Sequence, residues 1–199
     1  IVIRNCCHFR RYNYIIYSRD KYPNGNTIRE VNTTGVIIRD TLPPTTFISS
    51  PLTGLFYAGI VNIISSAVDD ISVTTDVSGI DRIDIEINDG STIYTDSCTG
   101  SSCITNWDST SETDGDYDII ATSYDRAGNS DLETITIIID NTAPLISDNY
   151  VLLNGIWTNL IQTVALNPTD IGGSGTDVVR YCEGAGCTPN IDLAFPYQL

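Results

Sequence analysis

Gly35-Val-Ile-Ile-Arg-Asp40-Thr-Leu-Pro-Pro44 and Ile135-Thr-Ile-Ile-Ile-Asp140-Asn-Thr-Ala-Pro144 are the same phrase written twice, with Asp40 and Asp140 standing 100 residues apart. Each is a short apolar run that ends on Asp and then meets proline, the signal for a strand that stops at a stiffened link. Working upstream, Tyr12-Asn-Tyr-Ile-Ile-Tyr-Ser-Arg-Asp20 matches Tyr117-Asp-Ile-Ile-Ala-Thr-Ser-Tyr-Asp125, and both soon reach Gly-Asn at 25–26 and 128–129. Working downstream, Ser78-Gly-Ile-Asp81 matches Ser174-Gly-Thr-Asp177. A fixed period of this size marks a tandem array. The expected domains are therefore 1–40, the C-terminal part of one repeat, 41–140, a complete repeat, and 141–199, the N-terminal part of another.

Strand signals recur inside the complete repeat. Residues 59–68 are β-rich. Ile80, Ile83, Ile85 and Ile87 alternate with Asp81, Asp84 and Glu86 apart from a slip at Arg82, which predicts a strand with one buried face. Asn88-Asp89-Gly90 reads as a hairpin turn into Ser91–Tyr94, and 117–124 with 133–139 form a closing pair. No amphipathic helix of useful length is seen. The expectation is an all-β fold of tandem immunoglobulin-like β-sandwiches, one complete and flanked by two partial repeats. A half-sheet would expose edges, so the partial repeats are expected to be completed by adjacent repeats of a longer chain or by other copies.

Charge narrows the function. The net charge is −15, yet residues 1–40 carry seven bases against three acids, and 41–140 carry two bases against seventeen acids. Such a centre repels phosphate, so nucleic acid is not an expected partner. No apolar run approaches the ~20 residues of a membrane-spanning helix. The dense acid is read either as a solvated, self-repelling surface or as a source of Ca2+ ligands. Two groups of oxygen donors are candidates: Asp69, Asp70, Asp76 and Asp81 near one loop, and Asp114, Asp116, Asp125, Asp140 and Asn141 at the repeat junction.

Six cysteines include two pairs of identical spacing, Cys98/Cys103 and Cys182/Cys187. With His8 as the only histidine a zinc site has few ligands, and small-loop disulfides in an oxidising compartment are the simpler reading. Adjacent Cys6 and Cys7 must find partners elsewhere. Asn32-Thr-Thr34 is the one N-glycosylation triplet. Trp107 and Trp157 are read as packing residues rather than sugar platforms. A lone His in a basic segment offers no nucleophilic triad, and Gly172-Gly-Ser-Gly175 lacks a phosphate-loop lysine. An enzyme is not expected.

Four motifs in order, Trp107-Asp-Ser-Thr110, Asp114-Gly-Asp-Tyr-Asp-Ile119, Asp125-Arg-Ala-Gly-Asn129 and Ile139-Asp-Asn-Thr-Ala-Pro144, resemble the immunoglobulin-like repeats of bacterial and archaeal surface proteins. The 157–159 and 181–182 segments resemble a variant of archaeal surface-layer proteins, although Asp20-Lys-Tyr-Pro-Asn-Gly-Asn26 carries an insertion in the third motif. The resemblance implies an extracellular or cell-surface role in filaments, S-layers or adhesin stalks. It also leaves room for a glycan- or protein-binding module, with surface glycans as partners, or the spacer of a secreted enzyme. Tyr117 is expected to form a tyrosine corner, its phenol bonding back to nearby backbone.

Overall fold

A computed structural model describes residues 10–15, 34–69, 78–148, 159, 165–182 and 186–193. Every regular element among them is a strand. In chain order these are β1 (Arg10–Ile15), β2 (Thr34–Arg39), β3 (Thr45–Ser50), β4 (Phe56–Tyr57), β5 (Ile60–Val68), β6 (Ile80–Asn88), β7 (Thr92–Thr99), β8 (Ser102–Asp108), β9 (Gly115–Asp125), β10 (Ser130–Ile139), β11 (Leu145–Asp148), β12 (Leu166–Thr169), β13 (Val179–Tyr181) and β14 (Ile191–Leu193). Strand order is β4-β10-β9-β6-β7 in one sheet and β3-β5-β8 in another, with two-stranded ladders β1-β2, β11-β12 and β13-β14. The fold is all-β and consistent with a β-sandwich. Among the described residues no helix is long and apolar enough to cross a membrane.

The chain separates into two compact units: Ile1–Pro51 with Asn62–Thr105 and Asp118–Ile135, and Leu52–Val61 with Asn106–Tyr117 and Thr136–Leu199. Alternation builds the first. On β6, Ile80, Ile83, Ile85 and Ile87 are buried, as are Ile63, Ser65 and Ala67 on β5, and Ile119, Ala121 and Ser123 on β9. Antiparallel pairing sets Ile83 opposite Ser123, Ile85 opposite Ala121 and Ile87 opposite Ile119. Large and small residues thus face one another across the ladder, as close packing requires. The slip at Arg82 is a register irregularity between Ile80 and Arg82. There the guanidinium lies 3.9 Å over the Tyr124 ring and meets Asp84 at 3.2 Å. The β6–β7 hairpin turns through Asn88, whose side chain accepts from the Gly90 amide at 2.6 Å. Gly90 has φ +112°, a value that disfavours any side chain there.

In the second unit Val61, Trp107, Tyr117, Ile137 and Ile139 are buried. Trp107 packs on Tyr117 at 5.3 Å between ring centres, and the Tyr117 hydroxyl donates to the Thr113 carbonyl at 2.8 Å. That is the expected corner bond. Thr110 closes the Trp-Asp-Ser-Thr motif as a turn: its hydroxyl, 2.7 Å from Asp108 Oδ1, is the main cause holding that carboxyl below its ordinary range. Both paired cysteines form disulfides, Cys98–Cys103 and Cys182–Cys187. The side chains of Tyr12, Trp157 and Asn32 lie outside the described residues.

Replacing Ile85, 1% exposed, by Ala should cost about 2–5 kcal/mol of unfolding free energy, the usual outcome of a core cavity. Ile104→Ala, at a side chain 64% exposed, should stay within about 0.5 kcal/mol. Urea denaturation followed by tryptophan fluorescence compares the two.

Candidate metal centre

Three buried carboxylates converge in the first unit. Asp40 follows β2, Asp69 follows β5, and Asp125 ends β9, with relative exposures of 9%, 6% and 3%. One oxygen of each lies within 4.8 Å of the others. Strand ends place them, and backbone amides hold them. Asp40 Oδ2 accepts from the Ser78 amide at 3.0 Å, and its Oδ1 accepts from the Leu42 amide at 3.1 Å. Asp69 Oδ2 accepts from the Gly79 amide at 2.6 Å and from the Ser78 hydroxyl at 3.4 Å. Asp125 grips its own hairpin: the Asn129 amide donates to Oδ1 at 2.8 Å and the Asn129 side chain to Oδ2 at 2.7 Å. The Asp-Arg-Ala-Gly-Asn motif is therefore a carboxylate-closed turn, in which Gly128 takes φ +92°. Arg126 brings a cation near: its Nη1 stands 3.6 Å from where a Cβ on Gly79 would project.

The second unit repeats the arrangement. Asp140 Oδ2 accepts from the Ser174 amide and Asp170 Oδ2 from the Gly175 amide, each at 2.7 Å. The two carboxylates crowd Gly173, where a Cβ would lie 2.7 Å from Asp140 Oδ2 and from both Asp170 oxygens. A larger residue there would have to displace the carboxylates from their amide bonds. The Oδ1 atoms of Asp140 and Asp170 are shut from water with no hydrogen bond of normal geometry. The Ser174 amide is the main cause holding the Asp140 carboxyl below its ordinary range, and the Ser174 hydroxyl adds to it. Thr142, placed as Leu42 is after Asp40, adds only a weaker pull.

The nine candidate ligands thus fall out differently from their sequence grouping. Asp69 and Asp125, from separate groups, come together, and Asp40 joins them. Asp70 and Asp76 lie outside the described residues. Asp81 is exposed beside Arg82 at 3.4 Å. Asp116 is exposed as well. Asp114 and Asn141 form a local clamp: Asp114 Oδ1 accepts from the Asn141 amide at 2.6 Å, while the Asn141 side chain donates to the Ser109 carbonyl at 2.6 Å and accepts from the Gly59 amide at 3.2 Å. Asp40 and Asp170 were missed. The signal for Asp40 was its equivalence to Asp140, and for Asp170 its place just before Ser174-Gly175.

No family model matches the chain, and no curated protein matches it. Among solved structures it is similar to the X-ray structure of the endo-beta-1,4-mannanase from Thermotoga petrophila, at 15% identity and a TM-score of 0.40, over 52% of this chain and 21% of that one. The chain thus spans about a fifth of that enzyme's length (21%). A likeness at this level carries no argument about function.

Asp140 gives a pH dependence of known sign. Its folded pKa lies below the ordinary 3.8, so its contribution to stability is complete above that value and is lost as pH falls through the lower folded one. Asp140→Asn should be less stable than the parent chain at about pH 6, and the gap should narrow as pH falls below 3.8. Unfolding midpoints measured across that range provide the check.

Proposed function

We propose that the chain is a structural segment of an extracellular filament, surface layer or adhesin stalk, built from immunoglobulin-like repeats in series at 1–40, 41–140 and 141–199. It performs no catalysis; its work is mechanical. One observation carries this reading. Asp40, which closes one repeat, accepts from the Ser78 amide of the next, and Asp140, which closes that repeat, accepts from the Ser174 amide of the one after. A last-strand carboxylate reaching forward past a proline-bearing link into the following Ser-Gly loop is what an array needs to set the angle between neighbours. Two disulfides fit the oxidising surroundings of such a protein. Against a sugar platform, the Tyr124 ring is already covered by Arg82. Immunogold labelling of intact, unpermeabilised source cells with antibody to this chain should decorate the outer surface. Label confined to the cytoplasm of sectioned cells would overturn the reading.

In the same reading the junction carboxylates hold Ca2+. Asp40, Asp69 and Asp125 would supply oxygen ligands in one junction, and Asp140 and Asp170 in the next. The donor set fits: all oxygen, clustered and anchored, with the Oδ1 atoms of Asp140 and Asp170 shut from water and, among the described residues, without a hydrogen bond of normal geometry. A hard cation would offset the repulsion between carboxylates this close. Calcium at about a hundred times its dissociation constant should add about 2.7 kcal/mol per site and raise the melting temperature, an effect that Asp125→Asn reduces. Melting curves unchanged by millimolar calcium would remove the cation from this reading.

A further inference from the structure

The outward faces of the two larger sheets differ in chemistry. On the β6–β7–β9 side the unburied positions include Asp84, Glu86, Asp96 and Asp118. On the other, the stretches 45–50, 62–68 and 102–105 of β3, β5 and β8 contain no charged residue at all, in a chain of net charge −15. Burial alternates cleanly along them. Thr46, Ile63, Ser65, Ala67, Cys103 and Thr105 point inward. Outward stand Phe47, Val68 and Ile104, with exposures of 47%, 46% and 64%, and half-buried Ile64. Thr45 faces Val68 and Phe47 faces Ser66 across the ladder, so the apolar groups are staggered over adjacent strands.

We propose that this uncharged face is where two copies of the chain meet side by side, face against face. Two bodies each carrying −15 repel, and contact is cheapest where neither presents charge, with the carboxylate-bearing sheet turned away. Clustered exposed apolar side chains on one face are what such a contact covers. Edge-to-edge pairing through β3 is blocked from within. The Thr46 amide donates to Asp131 Oδ2 at 2.9 Å and the Ile48 amide to Glu133, so the free edge is already capped by carboxylates. The face beside that edge carries no charge to oppose a like contact over 45–50, 62–68 and 102–105. A like-on-like contact around a two-fold axis pairs the same patch with itself, and no second patch of complementary charge is needed.

The contact is independent of the serial reading, because it joins copies laterally, whereas the junction carboxylates act along one chain. Sedimentation velocity of the whole chain, up to about 1 mM in low salt and in about 0.5 M NaCl, tests it. The expected result is a dimer that tightens with salt as the mutual repulsion is screened. Ile104→Asp and Val68→Asp, both at exposed positions that should not disturb folding, should each raise the dissociation constant at least about tenfold by placing a charge in the contact. Asp84→Asn, on the far sheet, should leave the contact intact. A chain that stays monomeric throughout, or an Ile104→Asp variant that associates as tightly as the parent, overturns the proposal. So does association that weakens with salt, which would assign the contact to the basic 1–40 segment against the acidic sheet.

Discussion

Two aspartates 100 residues apart are held by one interaction, a carboxylate accepting from a backbone amide. Asp40 and Asp140 each follow a strand directly and each take the amide of a serine in a Ser-Gly pair, at 3.0 and 2.7 Å. Their companions Asp69 and Asp170 take the following glycine amide at 2.6 and 2.7 Å. Charge-assisted bonds of this kind are stronger than neutral ones and sharply directional. They also bring like charges together, so the loop that supplies the amides has to be short and small. Gly173 meets that demand in the most literal way, since a methyl group in its place would strike both carboxylates.

Away from the boundaries the organising constraint is the two-residue period of a strand. It sends isoleucine inward along β6 and β9 and leaves the outward positions free to vary. Those positions differ in chemistry, acidic on one sheet and, over 45–50, 62–68 and 102–105, uncharged on the other. The same core would accept either surface, so the difference is not set by what holds the fold.

Much of this was legible in advance. The β6 alternation announced its strand, and the break at Arg82 announced the register irregularity, because a residue out of phase must be absorbed by an extra step in one strand. Paired cysteines five residues apart left little choice of partner. The third carboxylate cluster member was harder to read. Asp69 and Asp125 lie far apart in sequence, and only the topology, which brings the ends of β5 and β9 to the same place as the end of β2, makes them neighbours of Asp40. Sequence proximity grouped Asp69 with Asp81 and Asp125 with Asp114, yet Asp81 points to solvent beside Arg82 and Asp114 is engaged with Asn141. Strand β8 was similarly hidden, its alternation carried by Cys103, Thr105 and Trp107 rather than by aliphatic residues.

The crossing from β7 to β8 runs through Thr99, half-buried Gly100, and exposed Ser101 and Ser102, all small, the kind of turn a protease opens first. Here it is tied on every side. Gly100 donates to the Asp81 carbonyl at 2.7 Å, Ser101 accepts from the Ala67 amide at 3.0 Å, and Cys98 is bonded to Cys103 around it. A cut anywhere inside this turn would break one peptide bond without parting the polypeptide. The nicked strands would stay joined through sulfur, and the chain would keep its covalent continuity.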